Sequence, residues 1–156
     1  MRSLYTVLAI ATSWPASLSA ATATATATIA ISASVLPVCT VSGGAIAFGA
    51  YAPSTAIARE GAVTLTCSEG VSYAVALDEG VQGDGTTRRM ARGDGATLAY
   101  DLYRDAGHHQ RWGSGGSAAT GTGSGGTQTL PVYAAIAPSA ALAGNYTDSV
   151  TILVTY

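Results

Sequence analysis

The sequence predicts an all-β sandwich, and three observations carry that expectation. Apolar residues recur with a period of two in a series of short runs, as expected for strands with one buried face. No stretch sustains a 3.6-residue period with helix caps, and Gly-rich turns separate the runs. Only 10% of the 156 residues are charged, against about 25% in an ordinary globular chain. The length suits one domain. All 7 basic residues are Arg, the net charge is −2, and no basic stripe marks a nucleic-acid or anionic-membrane partner.

The elements follow in chain order. Met1 and Arg2, an apolar run from Leu4 to Ala11, and the small residues Ser19-Ala20-Ala21 read as a signal peptide over residues 1–21. That segment, broken by Trp14-Pro15, is short for a membrane span, so no membrane insertion is expected after cleavage. Residues 21–35 alternate strictly. Ala21, Ala23, Ala25, Ala27, Ile29, Ile31, Ala33 and Val35 form one face, and mostly Thr and Ser the other. This is a long strand, broken by Pro37. Further strands are predicted over residues 45–51 and 62–67, and around Tyr73, Val75 and Leu77. Leu98, Tyr100 and Leu102 mark another. Residues 130–136 form one containing Pro131, which places it near an edge or starts it after that residue. The last covers residues 146–156, with Val150, Ile152, Val154 and Tyr156 on one face. Residues 113–129 are Gly-rich and read as a long flexible loop, in part a ragged hairpin.

Cys39 and Cys67 are the only cysteines, and an even count in an exported chain predicts a disulfide. No metal or cofactor is expected, because His108 and His109 are adjacent and far in sequence from both cysteines. Gly121-Thr122-Gly123-Ser124-Gly125-Gly126 matches a dinucleotide fingerprint in letters only, since no helix follows it. Arg92-Gly93-Asp94 reads as turn chemistry between strands. Asp105, His108 and His109 read as a solvated loop, and no nucleophile–base pair can be nominated, so no catalytic residue is expected.

An ordered set of short motifs resembles the spore coat protein U domain family, which includes the archaic, Csu-type chaperone–usher pilins. The set comprises Cys39-Thr40-Val41, Phe48-Gly49-Ala50-Tyr51, Thr64-Leu65-Thr66-Cys67 and Tyr73-Ala74-Val75-Ala76-Leu77-Asp78. It continues with Arg89-Met90, Leu98-Ala99-Tyr100-Asp101-Leu102-Tyr103-Arg104-Asp105, Trp112-Gly113 and Gln128-Thr129-Leu130-Pro131-Val132-Tyr133. It closes with Gly144-Asn145-Tyr146-Thr147-Asp148 and the run to Tyr156. The resemblance implies an incomplete immunoglobulin-like sandwich that lacks its last strand and is completed by donor-strand exchange. It divides the exported chain into a donor-strand segment, residues 22–35, and a pilin domain, residues 36–156. The expected donor residues are Ala23, Ala25, Ala27, Ile29, Ile31 and Ala33, with the groove-filling contacts centred on the last four. The expected acceptor edge is Val150, Ile152, Val154 and Tyr156. The implied partners are neighbouring pilin subunits, a periplasmic chaperone and an outer-membrane usher, with the product on the cell surface for adhesion or biofilm formation. The alternative expectation is a secreted monomer whose N-terminal strand folds back on itself as a coat component or soluble adhesin.

Overall fold

The computed structural model describes residues 22–156. The expected signal peptide lies outside the described residues. Met1–Ser34 and Val35–Tyr156 are two separate units. In the first, residues 22–34 join no β-ladder and all their side chains are exposed, Ile29 and Ile31 almost fully. The strand expected over residues 21–35 is therefore not formed in its described part. Alternation supplies an apolar face, but a strand also needs a neighbour to pair its main chain.

The second unit has eight strands: β1 Cys39–Gly43, β2 Ile57–Cys67, β3 Ser72–Leu77, β4 Arg88–Ala91, β5 Thr97–Tyr103, β6 Ala119–Thr122, β7 Thr127–Ile136 and β8 Ile152–Thr155. They form a five-stranded sheet in the order β1-β2-β7-β5-β4 and a three-stranded sheet in the order β6-β3-β8. Every ladder is antiparallel. Among the described residues the one helical element is a 3-10 turn, Gly115–Ser117. No helix among the described residues is long and apolar enough to cross a membrane.

The core follows the alternation. Val63, Leu65 and Cys67 on β2 point inward, as do Tyr73, Val75 and Leu77 on β3, Leu98, Tyr100 and Leu102 on β5, and Val132, Ala134 and Ile136 on β7. Trp112 completes the layer, buried to 1% exposure, with its Nε1 donating to the Val75 carbonyl at 2.8 Å. That bond satisfies the indole N–H, which would otherwise be orphaned in an apolar interior.

One charge lies inside this core. Arg88 on β4 is fully buried. It donates from Nε to the Asp78 carbonyl (2.8 Å), from Nη2 to the carbonyls of Leu77 (3.0 Å) and Trp112 (2.6 Å), and from Nη1 to Asp101 Oδ1 (2.8 Å). Asp101 in turn accepts from Arg111 Nε at 2.5 Å, and Arg111 also reaches Glu79. Since β4 belongs to one sheet and Leu77 to the other, this guanidinium fastens the two sheets at one end.

Three expectations change here. The 113–129 stretch is not one loop: it contains the 3-10 turn, β6 and the start of β7. Gly123 exchanges main-chain bonds with Gly70 and Val71 at 2.9 and 2.7 Å, so Gly-rich composition here goes with an engaged backbone. β7 is interior in the sheet order, although it contains Pro131. The β5 ladder covers only Tyr133 to Ala135, so Pro131 lies beyond it and pairs on one side alone, with Ala62 of β2. The strand expected over residues 45–51 is absent, and the ladder in that region is β1, just before it.

Cys39 and Cys67 face each other in the β1–β2 register and form the expected disulfide, with Cα atoms 4.1 Å apart. Reduction is expected to lower stability by about 3–4 kcal/mol through the freed unfolded chain, measured as the shift in urea midpoint with and without reductant. Asp101→Ala leaves the Arg88 charge buried without its carboxylate and is expected to cost about 3–5 kcal/mol in the same assay.

Candidate acceptor groove

A groove opens over the sandwich core along one line. A groove of about 1120 Å³ runs between residues 43–51 on one wall and residues 141–152 on the other. Its floor is the core itself: Val63, Leu77, Leu98, Tyr100, Leu102, Val132, Ala134 and Ile136, with Met90 beside them.

The first wall is the segment expected to be a strand. Its inward residues do pack: Ile46 and Phe48 are half-buried against the core, and Phe48 meets Tyr100 edge-on with ring centroids 6.4 Å apart. Ile46 lies directly on Gly61 of β2, where a Cβ would come within 2.6 Å of it. The wall is tied at its far end by the Tyr51 hydroxyl, which donates to the Ala137 carbonyl (2.8 Å) and accepts from the Ser139 N–H (3.0 Å). Among the described residues, however, the main chain of residues 44–51 makes no main-chain hydrogen bond. It has the side-chain alternation of a strand and lacks the neighbour.

The second wall is held by polar ties on its outer side. Thr147 exchanges two main-chain bonds with Ala91 at 2.9 and 3.0 Å. Asp148 Oδ1 accepts from the N–H groups of Val81 (3.0 Å) and Gln82 (3.3 Å), and Oδ2 accepts from the Tyr100 hydroxyl (2.7 Å). Asp78 Oδ1 accepts from the Thr151 and Gly80 N–H groups. Burial raises the Asp78 pKa, but the bonds from Thr151 and Gly80 outweigh it and hold the carboxyl below its usual value. β8 then pairs with β3 alone, so its other edge joins no ladder. At this end the walls meet, because Ile152 packs on Gly43 so tightly that a Cβ there would lie 2.6 Å from Ile152 Cδ1.

The four residues expected at the acceptor edge fall in different places. Val150 and Ile152 line the groove. Val154 is packed against the core outside it, and Tyr156 sits beside Tyr73 and Gly121 on another face. The ladder expected over residues 146–156 shrinks to Ile152–Thr155, because only there does β3 run alongside. The opposite wall, Ile46 and Phe48 above all, was legible as alternation but not as a groove. Nothing local marks Asp148 as its anchor.

The remaining motifs resolve without chemistry. Arg92 and Asp94 of the Arg-Gly-Asp tripeptide bond to each other, Nε to Oδ1 at 2.8 Å, within the β4–β5 turn. Asp105 accepts from the His109 and Gln110 N–H groups and shapes an exposed loop. The Gly121–Gly126 string lies across β6 and the turn into β7, with no helix after it.

The model of the Spore Coat Protein U domain matches residues 25–153. The chain belongs to that family. No curated protein matches this Spore Coat Protein U domain chain. A similar solved structure is a chain of the CsuC–CsuE chaperone–tip adhesion subunit pre-assembly complex from the archaic chaperone–usher Csu pili of Acinetobacter baumannii. It has a TM-score of 0.61 and 26% identity over 78% of the present chain and 40% of the matched one. This Spore Coat Protein U domain chain thus spans well under half the length of that relative, and it shares the two-sheet, immunoglobulin-like sandwich architecture.

Tyr100 links floor to wall, and its titration reports on that link. Burial, then the bond to Asp148, raises its pKa well above the usual 10. The folded form therefore keeps its proton where the unfolded chain has lost it. The contribution is whole below about pH 10 and declines as pH climbs from there towards the raised folded value. Urea midpoints of the wild type are expected to fall more steeply above about pH 10 than those of Tyr100→Phe. At neutral pH that variant loses about 1.5–3 kcal/mol with the charged hydrogen bond.

Proposed function

We propose that this chain is a structural, non-enzymatic subunit of a bacterial surface pilus, assembled by a chaperone–usher pathway through donor-strand exchange. One observation carries the reading: a groove opens over the core, and its first wall, residues 44–51, has no main-chain partner among the described residues. An added strand would give that wall its hydrogen bonds and cover the apolar floor in one step, which is β-strand addition to an open edge. Left unfilled, such an edge is an aggregation hazard.

The occupant in the fibre is the N-terminal segment of a neighbouring subunit. Residues 22–34 of this chain have the matching character: an unpaired segment whose Ala23, Ala25, Ala27, Ile29, Ile31 and Ala33 form one apolar stripe. The two isoleucines would contribute about 1.5–3 kcal/mol each on full burial. The alanine positions suit a floor already filled by Tyr100, Met90 and Leu98, where the added main chain supplies hydrogen bonds more than bulk. Before assembly a periplasmic chaperone fills the groove, and an outer-membrane usher delivers the subunit to the surface, where the fibre serves adhesion or biofilm formation. The relative caught in a chaperone–subunit pre-assembly complex supports this order of events.

Deleting residues 22–34 is expected to leave a folded, disulfide-bonded subunit that co-purifies with its chaperone and forms no SDS-resistant multimers. Ile29→Asp with Ile31→Asp should act in the same direction. Multimers of normal length from the deletion variant, or a wild type that stays monomeric in sedimentation, would overturn the reading in favour of a self-complemented secreted protein.

A further inference from the structure

We propose that the linker after the donor segment is itself an interface: Leu36, flanked by Val35 and Val38, docks on Leu142 at the groove rim of the next copy of this chain. The proposal rests on the donor-strand reading above and adds to it a second contact and a direction of insertion.

The linker is too apolar for a free hinge. Val35, Leu36 and Val38 are 91%, 75% and 56% exposed, a cluster of large apolar side chains within four residues. Contiguous exposed apolar surface on a secreted domain marks a contact. The linker is also short and pinned. Val38 donates its N–H to Ser68 Oγ (3.2 Å) and accepts from the Ser68 N–H (2.9 Å), and Cys39 is held by the disulfide. Only residues 35–37 are free, and Pro37 stiffens them. From Ser34 to Val38 the chain reaches at most about 14 Å. A copy whose residues 22–34 fill a groove must therefore hold its own sandwich close against that groove's mouth.

The groove decides which mouth. At one end Ile152 covers Gly43, and a strand cannot run on past that contact. A donor inserted with its N-terminal end there runs antiparallel to the 141–152 wall. Its continuing chain leaves at the opposite end, between Tyr51 and Leu142. Leu142 lines the groove yet is 63% exposed, a large apolar residue on the rim with nothing over it. Residues 141–145 are also held in place, by Arg92 Nη1 bonded to the Ala143 carbonyl and by the Tyr146 hydroxyl donating to the Leu142 carbonyl at 2.8 Å. A fixed apolar rim and a short apolar collar are complementary, and burying both would set the angle between successive subunits.

The test traps the contact between copies. Full-length Leu36→Cys and Leu142→Cys chains are co-expressed, oxidised, boiled and run without reductant. The expected result is a reducible covalent dimer, several-fold more abundant than from Leu36→Cys with Leu153→Cys, which sits beside the closed end. Both changes lie at exposed side chains, and unboiled multimers check that assembly is intact. Multimers that form without the 36–142 cross-link, or that give equal yield with position 153, would overturn the proposal while leaving donor-strand exchange standing. Absence of multimers from the unsubstituted chain would overturn donor-strand exchange and this proposal with it.

Discussion

A β-sandwich must fill the space over its apolar floor and pair the main chain of its strands, and here both demands go unmet along the same line. Between residues 44–51 and 141–152 a groove opens over the core of β2, β3, β5 and β7, and the segment beside it has strand alternation without strand hydrogen bonds. The two deficits have one remedy, because a single inserted strand supplies apolar cover and main-chain partners together. Much of the rest of the fold serves to keep that line available rather than collapsed.

The groove stays framed because its ties are polar. Arg88 joins the two sheets through three carbonyls and Asp101. Burying a guanidinium is costly, but four hydrogen bonds, one of them to a carboxylate, offset that cost, and their directionality holds the sheet spacing in a way dispersion contacts do not. Asp148 and Asp78 grip the second wall from its outer side, and Tyr51 grips the end of the first. A floor of apolar side chains alone could draw its walls together. These bonds hold the walls at their positions while leaving the space between them empty of their own side chains.

What could be read in the residues depended on how local the cause was. The inward triplets of β2, β3 and β5 were visible as alternation, since each strand is flanked by turns and buried on one face. The Arg92–Asp94 turn was readable because its chemistry is contained in neighbouring residues. β4 was missed, since its four residues include two arginines, one of which is buried for a reason that lies on β3 and β5. β6 was hidden by glycine, whose backbone is paired through partners about fifty residues away in sequence. Alternation put Val150, Ile152, Val154 and Tyr156 on one face, but only Val150 and Ile152 line the groove, because β8 pairs with β3 from Ile152 onward.

By itself the sequence determined the fold class, the strands with one buried face, the disulfide between its two cysteines, and an N-terminal stripe of Ala and Ile. These follow from periodicity and composition, which are local and additive along the chain. Only the tertiary structure decided that residues 45–51 are a wall rather than a strand, that Val150 and Ile152 face them, and that Arg88 is buried. Those outcomes turn on which segment lies beside which. A backbone becomes a strand only when another backbone is there to bond it, and alternation along one segment cannot report whether that neighbour is present.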